Sequence, residues 1–329
     1  MPLISVILPT RNRPDLFRVA LDSVLAQRDA DFEIIVVHDG SEAEHVAAYQ
    51  ALFAEYAERI RLIELLYRSR GHGHAYGINT GVKIALGEYF AFLDDDDQWI
   101  DDLHLSRVCH SIARLGRLDM YLANQEAWHL GRQLPPPIWI GDLLQKVPNL
   151  PGPDPEGCYK ATAADMVRAH GFCHLNTLIM HRDLFAAIKG VDEYLRYECD
   201  RDFYYRALDR AQTILYDPKF IARHHVPLVG KMANVSTQVS GTEKCLFQMF
   251  ILGRLHLSVK SPAIRAYAWK HRAYTLQRLV RLYAEQKLYR TALPYAVEAV
   301  ALRPSPNSFK VLLRLIFKAL LLGDVAGSE

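Results

Sequence analysis

The sequence predicts an α/β protein built on a doubly wound sheet, and two observations support this prediction. Within residues 1–97, short apolar runs rich in β-branched residues alternate with segments of helical periodicity, as strands alternate with crossover helices. Two of these runs end in acidic residues, since Asp39 follows the second and Asp94–Asp97 follow the fourth. Ligands bind such sheets beyond the carboxyl ends of the strands, so we expect a binding site where these aspartates lie.

Strands and helices are predicted in strict alternation up to residue 97. Each strand is a short apolar run that ends in a proline, a turn sequence or polar residues, and each helix is an intervening segment of helical periodicity or Ala-rich composition. The predicted strands are Leu3–Leu8, Phe32–Val37, Ile60–Leu66 and Glu88–Leu93. The predicted helices are a segment that begins near Pro14, residues 42–58, and Ile78–Leu86.

Beyond Trp99 the alternation of strands and helices weakens. We predict a long loop over the proline-rich residues 133–157 and a helical chain from about residue 240 onwards. Within the latter, residues 263–302 are typical of an antiparallel helix pair. The other predicted elements are a helix near 101–115, a strand over Leu175–His181, and helices over Asp183–Ile188 and Asp200–Ala211.

Charge is unevenly distributed along the chain. Half of the 329 residues are hydrophobic and 23% are charged, a composition that can build a substantial core. The net charge of +2 does not favour a nucleic-acid binder. Residues 231–329, however, contain 15 Lys and Arg against 5 Asp and Glu, whereas residues 1–230 contain 24 against 32. We therefore expect an anionic partner for the basic C-terminal part, with a membrane surface as one candidate.

The cysteines and the apolar segments indicate the compartment. Five scattered cysteines form no CxxC pair, so we expect neither a zinc ribbon nor a disulfide framework. The first residues lack a basic segment, and no uncharged apolar run reaches about 18 residues, so we expect neither a secretory signal nor a spanning helix. These features favour a cytoplasmic protein, soluble or peripheral on the inner face of the cell membrane.

The run Asp94–Asp97 is the strongest candidate site in the sequence. At roughly 4 Å, two such carboxylates repel each other by about 4 kcal/mol at an effective dielectric constant of about 20. A divalent cation removes this repulsion, and hard carboxylate oxygens suit Mg²⁺ or Mn²⁺. The alternative is a solvated acidic turn that caps the following helix. A metal held by aspartate would stabilise, as a Lewis acid, the nucleoside diphosphate that leaves when a nucleotide-sugar is cleaved.

Five segments of the chain resemble the family 2 glycosyltransferases, in the family's order and over residues 1–230. They are SVILPTRNRPDLFRVALDSVLAQ (5–27), FEIIVVHDGS (32–41), INTGVKIALGEYFAFLDDDDQW (78–99), HLNTLIMHRDLFAAIKGVDEYL (174–195) and ECDRDFYYRAL (198–208). The resemblance implies a GT-A fold, with a nucleotide-sugar-binding half over 1–97 and an acceptor half over 98–230, followed by a basic, mainly helical region over 231–329. It also implies a metal-dependent, inverting transfer of a single sugar from a nucleotide-sugar.

For donor binding, the resemblance implies that Thr10 and Arg11 line the nucleoside pocket and that Asp39 hydrogen-bonds the base or ribose. The chain departs from the family twice here. His38 replaces the first acid of the usual Asp-Asp-Gly-Ser, and Ile78 stands where an arginine often holds uracil or its diphosphate. UDP is the favoured donor nucleotide, and dTDP and GDP stay open as alternatives.

For the metal, Asp94 and Asp96 match the family's Asp-x-Asp pair, and Asp95 between them joins the donor-binding set. The resemblance implies that Asp96 binds Mn²⁺ or Mg²⁺ directly. The sequence Arg-His-His at 223–225 resembles the family's Arg-x-His, whose histidine can complete the metal site. By that register His225 is the expected ligand and His224 is the alternative.

For catalysis, Asp200 matches the family's aspartate that serves as general base and deprotonates the acceptor hydroxyl. Cys199 replaces the glutamate that usually precedes it, so Glu198 and Asp202 are alternative bases. Asp202 is also spaced to pair with an arginine one turn later. Asp192 is a minor candidate near the place where the family's acceptor sites often begin.

The C-terminal segment 309–322 predicts a basic amphipathic helix. Lys310, Arg314 and Lys318 share one face, and the opposite face is almost wholly apolar. Such a helix binds a membrane surface or a partner, or it packs its apolar side against the pair over 263–302. Because the family often serves lipid-linked polysaccharide or lipopolysaccharide assembly, the resemblance favours a glycan or lipid-linked acceptor and peripheral attachment.

Two rival functions stay open from the sequence. A sugar nucleotidyltransferase would need a Gly-rich, basic loop after the first strand, and residues 9–12 contain no glycine. A catalytically inactive nucleotide- or glycan-binding protein of the same fold would fit the changes at His38 and Ile78. The presence of all the aspartates that the resemblance assigns to donor, metal and catalysis favours an active enzyme.

Overall fold

The computed structural model describes residues 1–135, 139–226 and 239–322. The chain forms two compact units, Met1–Lys231 and Met232–Glu329. The first is built around one mixed sheet, and the second is helical over its described residues. The predicted α/β class with a mixed, doubly wound sheet and C-terminal helices is confirmed.

The sheet of the first unit has the strand order β3-β2-β1-β4-β9-β6-β10-β5, with β7 beside β6 and β8 beside β10. The strands are β1 (Ile4–Thr10), β2 (Phe32–His38), β3 (Arg61–Glu64), β4 (Tyr89–Phe92), β5 (Gln98–Trp99), β6 (Met120–His129), β7 (Arg132–Gln133), β8 (Tyr159–Ala161), β9 (Leu178–His181) and β10 (Ile214–His225). The first four are the strands predicted from the sequence, and they pair in parallel.

Strand direction explains which loops meet. β9 runs antiparallel to both β4 and β6, so β6 points the same way as β4. β10 is parallel to β6 and therefore also points the same way as β4. The carboxyl ends of β1, β2, β4 and β10 consequently lie at one edge of the sheet, which is where such folds bind ligands.

Helices cover the sheet of the first unit. They are α1 (Pro14–Leu25), α2 (Ala43–Glu55), α3 (His74–Ile84), α4 (His104–Leu115), α5 (Leu143–Lys146), α6 (Ala163–Met166), α7 (Arg182–Ala187) and α8 (Cys199–Leu208). α3 lies unusually close to β1, since a Cβ on Gly77 would stand 2.9 Å from Cβ of Pro9 and one on Gly81 would stand 2.7 Å from Cγ2 of Ile7. Buried side chains from the strands and from helices α1, α2 and α4 pack together in one core, which includes Phe17.

Some elements differ from the sequence prediction. The helix expected over Ile78–Leu86 starts four residues earlier, at His74, and the strand expected over Leu175–His181 begins as a 3₁₀ turn over Leu175–Thr177. The loop predicted over 133–157 begins with the last residue of β7 and contains the short helix α5. β10 was not predicted, because Asp-Pro at 217–218 interrupts its apolar sequence pattern. In the structure, the pairing of β10 with β6 has two register shifts in the same stretch.

The second unit contains α9 (Gly241–Ser258), α10 (Pro262–Glu285), α11 (Tyr289–Leu302) and α12 (Pro306–Leu321), and each helix packs against the next. α12 buries a narrow face made of Leu315 and Ala319, with Leu312 beside them, in a cluster with α10 and α11. Among the helices that the structure describes, none is long and apolar enough to cross a bilayer.

Candidate functional site

The aspartate run Asp94–Asp97 forms the turn after β4, and its side chains point to different partners. Asp95 turns towards β1, where it accepts hydrogen bonds from Oγ1 of Thr10 at 2.9 Å and from the backbone N–H of Arg11 at 3.1 Å. Arg13 lies 3.2 Å from Asp95 and 2.7 Å from Asp96. Arg13 therefore neutralises part of the negative charge of these carboxylates, for which the sequence analysis had proposed only a divalent cation.

The outer two aspartates of the run pair with histidines. Asp94 lies 2.7 Å from Nε2 of His74, at the start of α3. The side chain of Asp97 is fully buried, and Oδ2 lies 2.6 Å from Nδ1 of His224, while Oδ1 accepts the backbone N–H of His225 at 2.8 Å. Asn176, in the 3₁₀ turn, also donates its amide to Asp97. The oxygens of Asp97 are thus well supplied with N–H donors.

The charges in this turn are not evenly compensated. Burial raises the pKa of Asp94, but His74 outweighs burial and holds the pKa of Asp94 well below its ordinary value. Burial and the neighbouring carboxylates of Asp97 and Asp95 raise the pKa of Asp96 to about 7. Burial lowers the pKa of His224, yet Asp97 and the other acids raise it to about 9. Asp96 is therefore the acid whose charge a cation would most relieve.

Two sets of ligand atoms meet at this edge of the sheet. Oxygens of Asp94, Asp96 and Asp97 lie within 4.8 Å of one another, and so do atoms of Asp97, His174 and His224. Carboxylate oxygens next to imidazole nitrogens suit Mn²⁺ and, through the oxygens, Mg²⁺. Since the neighbouring carboxylates disfavour the charged form of Asp96, which a cation would favour, the donor set present fits a divalent cation.

His225, the histidine expected to bind the metal, lies beside these sets. Its Nδ1 lies 2.8 Å from the backbone oxygen of Asp96 and 3.8 Å from Oδ1 of Asp97, and its side chain is more exposed than that of His224. His224 faces the acids instead, since Asp97, Asp94 and Asp96 all raise its pKa. The geometry therefore favours the alternative histidine of the sequence analysis.

Asp200, the expected base, lies in the first turn of α8 and close to the same edge. Its Oδ1 accepts the backbone N–H of Arg201 at 2.8 Å, and its Oδ2 lies 3.7 Å from Nε2 of His174. The same Nε2 lies 3.9 Å from Oδ2 of Asp94. His174 thus stands between the expected base and the aspartate turn.

The alternative bases have other surroundings. Glu198 pairs with Arg201 at 3.0 Å. Asp202 is buried and pairs at 2.7 Å with Arg206, the arginine one turn later. Asp192 accepts the backbone N–H of Tyr194 in the turn that precedes α8.

Asp39, at the end of β2, is buried beneath the loop 71–73. Its carboxylate accepts the backbone N–H groups of His72 and Gly73 at 2.8–2.9 Å and lies 2.6 Å from Nδ1 of His72. Gly71 has φ +62°, and a Cβ there would stand 2.7 Å from Oδ2 of Asp39. Glycine is therefore required at this position for the loop to close over the carboxylate.

Arg11 lies at the same loop. Its Nη2 donates to the backbone oxygen of Arg68 at 2.7 Å and lies 3.4 Å from Glu42. The structure thus places Thr10, Arg11 and Asp39 together at the ends of β1 and β2, next to the aspartate turn.

Sequence reasoning missed three residues of this site. Arg13 and His174 lie inside the segments quoted for the family resemblance, but neither belongs to a pattern that assigns it a role. His74 lies four residues before Ile78, where the helix was predicted to begin, so its place at the start of α3 was not predicted. Only the paired strands and the short distances reveal these three side chains.

Comparison with known proteins supports the resemblance to the family. The model of "Glycosyl transferase family 2" matches residues 5–164. An uncharacterized glycosyltransferase of Rickettsia prowazekii is 29% identical over 229 residues, which are 68% of this chain and 64% of the relative. These matches support a family 2 glycosyltransferase. It spans less than two thirds of the length of the Rickettsia relative that it matches.

Another relative is a glycosyltransferase as well, and two solved structures share the fold. The amylovoran biosynthesis glycosyltransferase AmsB of Erwinia amylovora is 25% identical over 204 residues, 62% of this chain and 63% of AmsB. S. aureus TarS 1–349, solved with UDP-GlcNAc, has a TM-score of 0.61 at 17% identity and covers 95% of this chain and 79% of its own.

The mannosyltransferase PcManGT of Pyrobaculum calidifontis, solved with GDP-Man and Mn²⁺, has a TM-score of 0.57 at 16% identity, with 98% and 87% coverage. At these identities the two structures establish the fold alone. The GT-A fold expected for family 2 is thereby confirmed.

Proposed function

We propose that the protein is a metal-dependent glycosyltransferase that moves one sugar from a nucleotide-sugar to a hydroxyl of a glycan or lipid-linked acceptor. The observation that carries the proposal is the meeting of two ligand sets at the carboxyl edge of the sheet. Asp94, Asp96 and Asp97 form one set, and Asp97, His174 and His224 form the other. Asp200 lies next to them, 3.7 Å from His174. This arrangement combines a cation site with a general base, as transfer to a hydroxyl requires.

Asp96 and His224 would hold Mn²⁺ or Mg²⁺, with Asp94 beside them and His225 as the alternative histidine. When bound, the cation would stabilise the negative charge on the departing nucleoside diphosphate. Asp97 would act on His224, because a carboxylate that accepts one ring N–H orients the imidazole and leaves its other nitrogen to face the cation.

Asp200 would deprotonate the acceptor hydroxyl. The acceptor oxygen then bonds to the anomeric carbon as the bond from that carbon to the phosphate oxygen breaks, and the electron pair leaves with the nucleoside diphosphate. A single displacement of this kind inverts the anomeric configuration. The inverting course is proposed on the family resemblance.

Thr10, Arg11 and Asp39 would form the nucleoside side of the donor site. Asp95 would hold Thr10 and Arg11 in place, since its carboxylate accepts hydrogen bonds from both. We propose a UDP-sugar as donor, with dTDP- and GDP-sugars as alternatives, because TarS was solved with UDP-GlcNAc and PcManGT with GDP-Man. The name of AmsB favours a role in cell-surface polysaccharide or lipopolysaccharide assembly.

Attachment to the inner face of the cell membrane through α12 is part of the proposal. Only a narrow face of the helix is buried, and the apolar residues beside that face are exposed: Phe309, Leu313, Ile316, Phe317 and Leu320. The predicted basic face, formed by Lys310, Arg314 and Lys318, adjoins them. Such a helix inserts its apolar side among lipid chains while its cations contact anionic head groups.

A binding screen followed by a transfer assay tests the central proposal. Full-length protein is titrated calorimetrically with UDP, dTDP and GDP, each with and without Mn²⁺. We expect one nucleotide to bind tightly only with Mn²⁺, and the matching nucleotide-sugar to be consumed. No Mn²⁺-dependent binding of any of the three would refute the proposal. Binding without consumption, across donors and acceptors, would favour an inactive binding protein.

A further inference from the structure

His174 is held in one orientation by the turn that follows it. It precedes the 3₁₀ turn Leu175–Thr177, and its Nδ1 accepts the backbone N–H of Asn176 at 3.4 Å. A neutral imidazole that accepts at Nδ1 carries its hydrogen on Nε2. The turn therefore determines which ring nitrogen of His174 is the donor.

That donor faces two carboxylates of the site. Nε2 of His174 lies 3.7 Å from Oδ2 of Asp200 and 3.9 Å from Oδ2 of Asp94. The side chain is only 13% exposed. The other oxygen of Asp200, Oδ1, already accepts the backbone N–H of Arg201 at 2.8 Å. The oxygen of Asp200 that faces His174 is therefore Oδ2, and not the Oδ1 that accepts the backbone N–H of Arg201.

We propose that His174 is a positioning residue that orients the base Asp200 towards the acceptor and couples it to the donor side through Asp94. This inference rests on the proposed function. When substrates bind, the Nε2–H closes to hydrogen-bond distance, since catalytic hydrogen bonds are often long without substrate and tighten in the complex. The proton of the acceptor hydroxyl passes to Asp200, and His174 keeps its own hydrogen throughout.

A purely structural role makes a different prediction. If His174 mattered only as the cap of the 3₁₀ turn, an acceptor near the position of Nδ1 would suffice, and Asn supplies one. If the donor towards Asp200 matters, Gln is the better replacement, because its amide N–H₂ reaches near the position of Nε2. His174→Asn and His174→Gln therefore separate the two roles.

The chain also offers a matched control. His181 precedes α7, its Nδ1 accepts the backbone N–H of Asp183 at 3.1 Å, and its side chain is 12% exposed. It is thus a second capping histidine of equal burial, at the far end of β9 from His174. Its carboxylate neighbour is Asp183, outside the site.

The experiment measures transfer by full-length wild type and by the Ala, Asn and Gln variants at positions 174 and 181, with Asp200→Asn as the inactive reference. A well-placed base typically increases the rate about 10²- to 10⁴-fold. If His174 orients that base, His174→Ala and His174→Asn should lower kcat by about tenfold or more. His174→Gln should retain most of kcat. The KM for donor and the Mn²⁺-dependent binding of nucleotide should hardly change, because the proposal directs Nε2 of His174 to the two carboxylates and not to the cation. Loss of Mn²⁺-dependent binding in His174→Gln would assign His174 to the metal set and overturn the positioning role.

The outcomes are separable. Equal recovery by Asn and Gln, or losses at position 181 that match those at position 174, would overturn the positioning role and leave the proposed function intact. Unchanged kcat in His174→Ala would do the same. No transfer by wild type with any donor would instead overturn the proposed function and the inference together.

Discussion

Nδ1 of His224 lies 2.6 Å from Oδ2 of Asp97, whose side chain is fully buried at the edge of the sheet. The pair joins the end of β10 to the turn after β4 and holds the imidazole against the aspartate run. The neighbouring His225 donates only its backbone N–H to Asp97, and its side chain turns to the backbone oxygen of Asp96. Adjacent histidines on one strand thus have different surroundings.

This difference predicts which histidine binds the cation. His224→Ala should weaken Mn²⁺ binding in the presence of UDP by about tenfold or more, since even outer residues of metal sites contribute about 10- to 100-fold in affinity. His225→Ala, a matched change at the next residue, should have a much smaller effect. Titration of free Mn²⁺ by electron paramagnetic resonance measures both. The reverse order of the two effects would restore His225 as the ligand.

The two middle aspartates of the run should also differ, Asp96 affecting cation binding and Asp95 affecting stability. Asp96→Asn removes a carboxylate whose charged form burial and the neighbouring acids disfavour, so we expect loss of Mn²⁺-dependent nucleotide binding with little change in Tm. Asp95→Asn disrupts buried bonds to Thr10, Arg11 and Arg13, which typically costs about 1–3 kcal/mol when a partner is left unsatisfied. Thermal unfolding with and without Mn²⁺ and UDP separates the two effects. A lower Tm in Asp96→Asn than in Asp95→Asn would contradict this division.

Asp200→Asn tests the base. The amide keeps the size of the side chain but cannot take the acceptor proton, so we expect kcat to fall by about 10² or more while nucleotide binding persists. Glu198→Gln is the companion variant, because Glu198 precedes the same helix and pairs with Arg201. Full turnover by Asp200→Asn, or a larger loss in Glu198→Gln, would move the base to another residue.

The exposed face of α12 predicts membrane binding. Leu313 and Phe317 are each 65% exposed, and burying such a side chain in an apolar phase contributes about 1.5–3 kcal/mol. Leu313→Ser with Phe317→Ser should therefore weaken binding to vesicles of anionic phospholipid by at least about tenfold. Leu257→Ser in α9 is the control for loss of an exposed leucine elsewhere. Sedimentation with vesicles that is equal in all three proteins would exclude α12 as the contact.

The buried His104, which lies outside the site, should make the stability of the protein depend on pH. Both of its ring nitrogens are buried without a hydrogen-bond partner, and burial lowers its pKa to about 3. Below the ordinary histidine pKa of about 6.5, His104 is protonated in the unfolded chain but stays neutral in the folded protein. The free energy of unfolding therefore falls as pH drops. From pH 7 to pH 5 this amounts to about 2 kcal/mol. Urea unfolding of wild type and His104→Leu at both pH values should show a weaker pH dependence in the variant.

Alternating apolar and helical segments were enough to predict the α/β class and the first four strands, because local periodicity is written in consecutive residues. The resemblance to the family rested on five short motifs, which are also written in consecutive residues. The same is true of the aspartates Asp39 and Asp94–Asp97, since the end of a strand can be read directly from the chain. The position of Asp200 also followed from a motif. These features required no knowledge of which strands pair.

Only the tertiary structure decided how those residues are used. β10 is recognisable as a strand mainly through its pairing with β6, and its parallel direction is what brings His224 to Asp97 across more than a hundred residues of sequence. Arg13 and His174 join the acids for the same reason, since distances between remote segments are set by the sheet and leave no periodic trace in the sequence. The sequence therefore determined which chemical groups are available, and strand pairing determined which of them meet.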